Sequence, residues 1–470
     1  MIDPSTFDVP TLVEAYRARR LSPREVMAGL LARAETTGGP LRAFVLVDPD
    51  QALAAASASE ARWAQGQPMG PLDGVPFTVK DNIAWAGHPM RRGSLTSPDG
   101  PVAESSPAVD RLLEAGAIPW AKTTLPEFGW KGVGDSRLSG VPLNPWDTSR
   151  TPGGSSAGAA IAAAIGLGPL HLGTDGAGSI RIPAAFCGLF GIKPSFGRVP
   201  NYPPSAFAIV SHVGPLTRTV TDAAIMLGTI GAPDPRDINA LVTPAQDYLA
   251  GLEIGVKGLR VAWSPRLGGQ VERIDPEVEE LAEAGAQVFA ELGAEVVRAD
   301  PDLPPALPVL TTLWRTGAWS VLRTIPESRW GEIDPGFVAI ATAGREISGA
   351  DYVAAANARS ALSLAMARFH ERYDLLLTPT VATVAVEAGR DTPADGRFGA
   401  DWLAWTPYTY PFNLTLQPAA SVPCGLTGTG LPVGLQIVGP MLRDGSVLRA
   451  ARAYEKARPW PSLAEAYRPG

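Results

Sequence analysis

The stretch 151–197, TPGGSSAGAAIAAAIGLGPLHLGTDGAGSIRIPAAFCGLFGIKPSFG, decides how the chain is read. It is dense in Gly, Ala and Ser and nearly free of charge until Asp175 and Arg181. Two small-residue loops stand out, Gly153-Gly154-Ser155-Ser156 and Gly176-Ala177-Gly178-Ser179, with a helix of small residues predicted between them over 157–167. Small residues let backbone segments approach closely, and such loops can aim several N–H groups at one point. A serine within one is a candidate nucleophile with its oxyanion hole beside it.

The rest of the chain frames this stretch as part of a large α/β enzyme. With 470 residues, 45% of them hydrophobic, it can bury a substantial core. The net charge of −7 and the absence of a basic run give no support to a nucleic-acid partner. Cys187 and Cys424 form no CxxC, so a reducing, cytoplasmic setting is expected. MIDPSTFDVPTLVEAYRARR has no apolar signal core, and no apolar window is long enough to span a membrane. Only six of the 40 basic residues are lysine, so each lysine merits inspection.

Residues 5–66 read as helical, with a start signal at Ser22-Pro23 and an alanine-rich helix over 52–65. Alternation of Val75, Phe77 and Val79 predicts a strand that places Thr78 and Lys80 on its other face. A helix over 106–115 and a strand over 117–121 continue a βαβ rhythm. Further helices are predicted over 216–230, 275–292, 352–373 and 446–455. Strands are predicted over 259–263, 295–299, 375–379, 418–423 and 433–439. Residues 125–145 and 386–410 read as aromatic-bearing loops, and about 301–352 as a helical excursion that covers the sheet.

None of the four histidines has metal-site or HExxH spacing, and the GxxxxGK(S/T) phosphate-loop motif is absent. Lys80 closes an apolar strand, where a charged ammonium is costly unless paired. Desolvation lowers a lysine pKa and makes the amine usable as a base. The same position also suits a lysine snorkelling from a strand end into water.

PLDGVPFTVKDN (71–82), GGSSAG (153–158), GTDGAGSIRIPAAFCGLFGIKPSFGRVP (173–200), LLLTPT (375–380), residues 413–425 and LPVGLQIVG (431–439) together resemble the amidase signature family. The resemblance covers nearly the whole chain. It implies an α/β fold made of one amidase domain over 1–470, a large mixed twisted β-sheet with helices on both faces. The 1–66 region is then N-terminal helical decoration, and the 301–352 excursion covers the active site. The implied triad is Ser–cis-Ser–Lys: Lys80 as base, Ser155 after a cis peptide bond as relay, and Ser179 as nucleophile. The backbone N–H groups of Gly176, Ala177, Gly178 and Ser179 would form the oxyanion hole. Asp175 and Arg181 would brace that loop and Ser156 would shape it. Ala177 stands where the family usually has glycine. Phe128, Gly129, Trp130, Gly153, Gly154, Trp319, Trp402 and Tyr408 are expected around the substrate, with no metal or cofactor.

Within the family, the glutaminase component of the tRNA-dependent amidotransferase carries an aspartate where this chain has Thr406. In this chain the stretch 335–344 reads as apolar until Arg345 and offers no obvious partner for a substrate carboxylate. The branch acting on malonamate-type acids carries an arginine where this chain has Ile182. The expected partner is therefore a small uncharged amide, apolar or aryl, with anilides, carbamates (urethanes) and esters in range. The chain is expected to be a monomer or homodimer. A glutaminase subunit and a non-catalytic subunit of a larger complex are the alternatives.

Overall fold

Alternation along the strands divides the apolar side chains between two faces of one sheet. The computed structural model describes residues 7–464 and 467. Its strands are β1 (Phe44–Val47), β2 (Pro76–Lys80), β3 (Ile118–Thr123), β4 (Leu170–Asp175), β5 (Phe190–Lys193), β6 (His212–Thr217), β7 (Arg260–Trp263), β8 (Glu295–Arg298), β9 (Leu375–Pro379), β10 (Ala419–Leu426) and β11 (Pro432–Val438). They form an 11-stranded sheet in the order β1-β3-β2-β4-β6-β5-β10-β11-β9-β7-β8. The sheet is mixed: β2 runs parallel to β3 and β4, β7 to β8 and β9, and the remaining pairs are antiparallel.

Helices cover both faces. They are α1 (Val9–Arg17), α2 (Pro23–Arg33), α3 (Pro49–Ala64), α4 (Pro107–Glu114), α5 (Ala157–Ala164), α6 (Arg181–Cys187), α7 (Val220–Ile230), α8 (Pro276–Glu291), α9 (Leu307–Leu322), α10 (Pro335–Gly344), α11 (Gly349–His370), α12 (Tyr410–Leu414) and α13 (Asp444–Ala457). Phe77, Val79, Leu375, Leu377, Leu435 and Ile437 pack with α1, α4, α7, α8 and α13. Their strand neighbours Leu376 and Val438 face the other way, toward α6 and α9–α12. The period of two thus fixes two cores from single strands.

The small-residue helix is α5, all eight of whose residues are buried. A side chain on Gly158 would stand 2.0 Å from the Ala43 carbonyl oxygen, which explains the glycine by close backbone approach. Ser22 begins α2 as expected, by a capping box in which Ser22 and Glu25 bond each other's backbone.

Three expectations need correction. The 5–66 region is not wholly helical: β1 lies between α2 and α3 and pairs with β3, and α3 starts at Pro49 (residues 5 and 6 lie outside those described). The 216–230 helix begins only at Val220, capped by Thr219, because 212–217 is β6. The small-residue stretch holds two strands, β4 and β5, that its pattern does not announce. β4, β5 and β6 are buried throughout, so no polar alternation marks them. The 301–352 region does hold helices, α9, α10 and the start of α11, packed on the second core.

Candidate active site

Lys80 is the last residue of β2, in register with Thr123 of β3. The strand turns its side chain away from Phe77 and Val79, as the alternation predicts, and it is completely buried. Its Nζ lies 2.8 Å from Ser155 Oγ, 2.9 Å from Ser156 Oγ and 2.8 Å from Thr174 Oγ1, with the Thr174 carbonyl at 3.4 Å. Burial drives its pKa well below the usual lysine range, and the Asp175 charge only partly opposes this. A neutral amine carries two hydrogens and one lone pair. Among three surrounding hydroxyls, one can therefore donate to the nitrogen.

The Gly154–Ser155 peptide bond is cis. Ser156 links the two loops: its N–H donates to the Ser179 carbonyl at 3.1 Å and its hydroxyl donates to the Thr174 carbonyl at 3.2 Å. Ser179, like Ser155, is nearly fully buried. Gly129 stands over this pair of loops, where a side chain would come 3.2 Å from Ser155 Oγ.

The loop 176–179 is held from below. Asp175 accepts the N–H of Gly178 at 2.7 Å and of Ile180 at 3.1 Å, and pairs with Arg181 through Nε at 3.0 Å and Nη2 at 2.9 Å. Arg181 also donates to the Thr409 carbonyl, Gln436 and Asn413, and Asn413 donates back to Asp175. Burial would raise the Asp175 pKa. The Arg181 charge and hydrogen bonds, then Asn413, outweigh it and hold the carboxylate below its usual range. Neither Asp175 nor Arg181 is solvent-accessible. A buried pair this well supplied with further bonds can offset its desolvation.

This brace corrects one expectation. The Gly178 N–H points at Asp175 and is not free for an oxyanion. Among the described residues, the N–H groups of Gly176, Ala177 and Ser179 make no intramolecular hydrogen bond. Ala177 keeps an ordinary negative φ, so its Cβ is tolerated, and its carbonyl is tied to Thr409 Oγ1 at 2.6 Å.

A cleft of about 330 Å³ opens beside this centre, with Asn82, Thr174, Phe128, Phe207 and Arg92 in its wall. Of the residues expected around the substrate, Phe128 lies in this wall. Trp130 and Trp402 lie one layer back: Trp314 donates to the Trp130 carbonyl at 3.1 Å, packs edge-on to Trp402, and stacks on Phe207 at 3.8 Å. Three expectations fail. Trp319 faces the far side of α9, against Gly344 and the Arg345 guanidinium. Tyr408 is a core residue whose hydroxyl donates to the Pro265 carbonyl at 2.6 Å. Gly153 and Gly154 pack against Pro183, Phe186 and the Val133 carbonyl rather than opening into the cleft. Thr174, Asn82, Phe207 and Arg92 line the cleft without standing out in the sequence. Thr174 lies on β4, where its position one residue before Asp175 is the available signal.

The four histidines stay clear of Lys80. His171 bonds Thr78 and the Gly168 carbonyl, and burial lowers its pKa to about 3. His212 bonds the Val210 carbonyl, His88 pairs with Asp48, and His370 bonds the Tyr373 carbonyl.

The family described as Amidase matches residues 25–448. The chain belongs to the amidase signature family. It is a hydrolase acting on carbon–nitrogen bonds of linear amides. This amidase is 36% identical over 454 residues to an acylamidase of Rhodococcus erythropolis, covering 96% of this chain and 95% of that one. It is 35% identical to a glutamyl-tRNA(Gln) amidotransferase subunit of Chloroflexus aggregans, covering 96% and 97%. Among solved structures, a bacterial aryl acylamidase superposes with a TM-score of 0.90 at 32% identity, covering 97% and 96%. No helix among the described residues is long and apolar enough to cross a membrane.

Proposed function

We propose that this amidase cleaves linear amides bearing an apolar or aryl group beside the scissile bond, through an acyl-enzyme on Ser179. The observation that carries this reading is the buried Lys80 amine 2.8 Å from Ser155 Oγ, with no carboxylate bonded to it. Neutral Lys80 accepts the Ser155 proton as Ser155 accepts that of Ser179. Ser179 attacks the carbonyl, and the N–H groups of Gly176, Ala177 and Ser179 receive the oxyanion. The relay then returns the proton to the leaving amine, and water enters by the same route to release the acid. Anilides and carbamates fit this chemistry, and esters share its intermediate.

Phe207 and Phe128 supply the apolar wall, with Trp314 stacked behind Phe207. The acylamidase and aryl acylamidase relatives support the substrate class. The amidotransferase relatives keep a glutaminase reading in view. Against it, Thr406 is buried and bonds only within its own turn, and Phe337 and Ala341 of α10 are buried in the core.

A panel of anilides, aliphatic amides, carbamates, esters and glutamine decides between them. Anilide turnover should dominate. Ser179→Ala should abolish it, and Lys80→Ala should lower kcat by at least about 1000-fold. Normal amide hydrolysis by Ser179→Ala, or glutamine as the best substrate, overturns the proposal.

A further inference from the structure

Arg92 is the one charged side chain in the wall of the cleft beside Lys80, and it is unused by the fold. Among the described residues, no hydrogen bond or ion pair engages its guanidinium, whereas its backbone is fixed at both ends. Its N–H donates to the Asp81 carbonyl at 3.2 Å, and its carbonyl accepts the Phe128 N–H at 2.7 Å. Asp81 follows Lys80 directly, so Arg92 is anchored to the same strand end as the amine. Its φ of +53° is a left-handed conformation that non-glycine residues rarely adopt. The side chain is half-buried, and the carboxylate whose charge it feels, Asp81, is already taken by Lys122 at 3.1 Å.

The rest of the wall has no countercharge. It combines the hydroxyls of Thr174, Ser205, Ser211 and Ser320 with apolar surface from Phe128 and Phe207, and it contains no acidic residue. A guanidinium cannot shed its charge as a lysine can, so a partly desolvated and unpaired one is costly until an acceptor arrives. The planar fork matches a carboxylate in bidentate fashion.

We propose that Arg92 is a specificity residue that receives a carboxylate at the far end of the substrate, so that the natural substrate is an apolar or aryl amide with a distal acid. This rests on the amidase reading above and narrows it. The departures at Thr406 and Ile182 concern small acids bound next to the nucleophile, and Arg92 occupies neither position, so they do not oppose it.

The test compares matched pairs of anilides. In one pair the aniline ring carries a para carboxylate or, in its place, a carboxamide. In the other the acyl chain ends in a carboxylate or a carboxamide. In the wild-type enzyme, kcat/KM should favour the acid by about tenfold or more in one of the two pairs, chiefly through KM. Arg92→Gln should bring that ratio close to one, and Arg92→Lys should retain part of it. A wild-type ratio near one in both pairs, or an unchanged ratio in Arg92→Gln, overturns the proposal. The failure would be separable from that of the amidase reading, because carboxamide turnover dependent on Ser179 reports the latter by itself.

Discussion

The proposed role of Lys80 as a base depends on its having no anion to pair with. Its three near neighbours are hydroxyls, and burial sets the direction of its pKa shift. The rate should therefore fall as pH drops through the lowered Lys80 pKa, because the protonated amine cannot accept the Ser155 proton. A pH profile of kcat/KM with no acid limb would contradict this. Gly178 carries a second residue-scale constraint. Its φ is +126°, and an added Cβ would stand 2.6 Å from Thr409 Oγ1 and 2.8 Å from Ile182 Cδ1. Gly178→Ala should cost about 1–3 kcal/mol of stability and lower kcat/KM about 100-fold by shifting the adjacent donors. Gly176→Ala, with an ordinary φ and only the Trp314 ring at 3.0 Å, should be milder on both counts, and equal effects of the two substitutions in denaturant titration and kinetics would reject the argument. The serines and Lys80 are legible in the sequence because their motif is long. The loss of the Gly178 N–H to Asp175 is not, since only the folded loop shows which donor the carboxylate has claimed.

At the scale of elements, the α9–α10 excursion is clasped to the loop 127–135. Lys131 places its ammonium 2.9 Å from Asp135, 3.0 Å from Asp334 at the start of α10 and 2.9 Å from Asp391. Burial would lower the Lys131 pKa, but the three carboxylates outweigh it and hold the ammonium charged. Glu127 adds a bond to the Asp334 N–H at 2.5 Å. Lys131→Met would leave three carboxylates facing one another. The expected loss is about 3 kcal/mol, the low end for a buried pair, because Asp391 remains 37% exposed. A change below about 0.5 kcal/mol in urea unfolding would show that the clasp is not needed. Of these elements, the helices are readable from their apolar faces and caps. Strands β4, β5 and β6 are not, because strands covered on both faces lose the alternation that marks a half-exposed strand, and β6 runs directly into a helix of similar composition. The clasp is also hidden, as Lys131 and Asp391 are 260 positions apart.

Across the whole molecule, contacts between distant segments tie its stability to pH. Asp222, in the first turn of α7, accepts the Val9 N–H of α1 at 2.8 Å across 213 positions of sequence. It is completely buried. That burial pushes its pKa up to about 7, with the Val9 N–H opposing, Asp8 adding to the rise and Arg218 opposing again. In the unfolded chain an aspartate titrates near about 3.9. Between these two values the folded protein holds a proton that the unfolded chain has released. Raising the pH through this window therefore removes stability, fully present below about pH 4 and lost by the time the pH passes 7, at about 1.4 kcal/mol per unit of pKa separation. Asp222→Asn keeps an acceptor for Val9 but cannot ionise. The difference in unfolding free energy between wild type and Asp222→Asn, measured by denaturant titration from about pH 4 to about pH 8, should thus move steadily against the wild type as pH rises. A difference that stays flat over that range would show that Asp222 ionises normally and that the α1–α7 contact is not pH-linked.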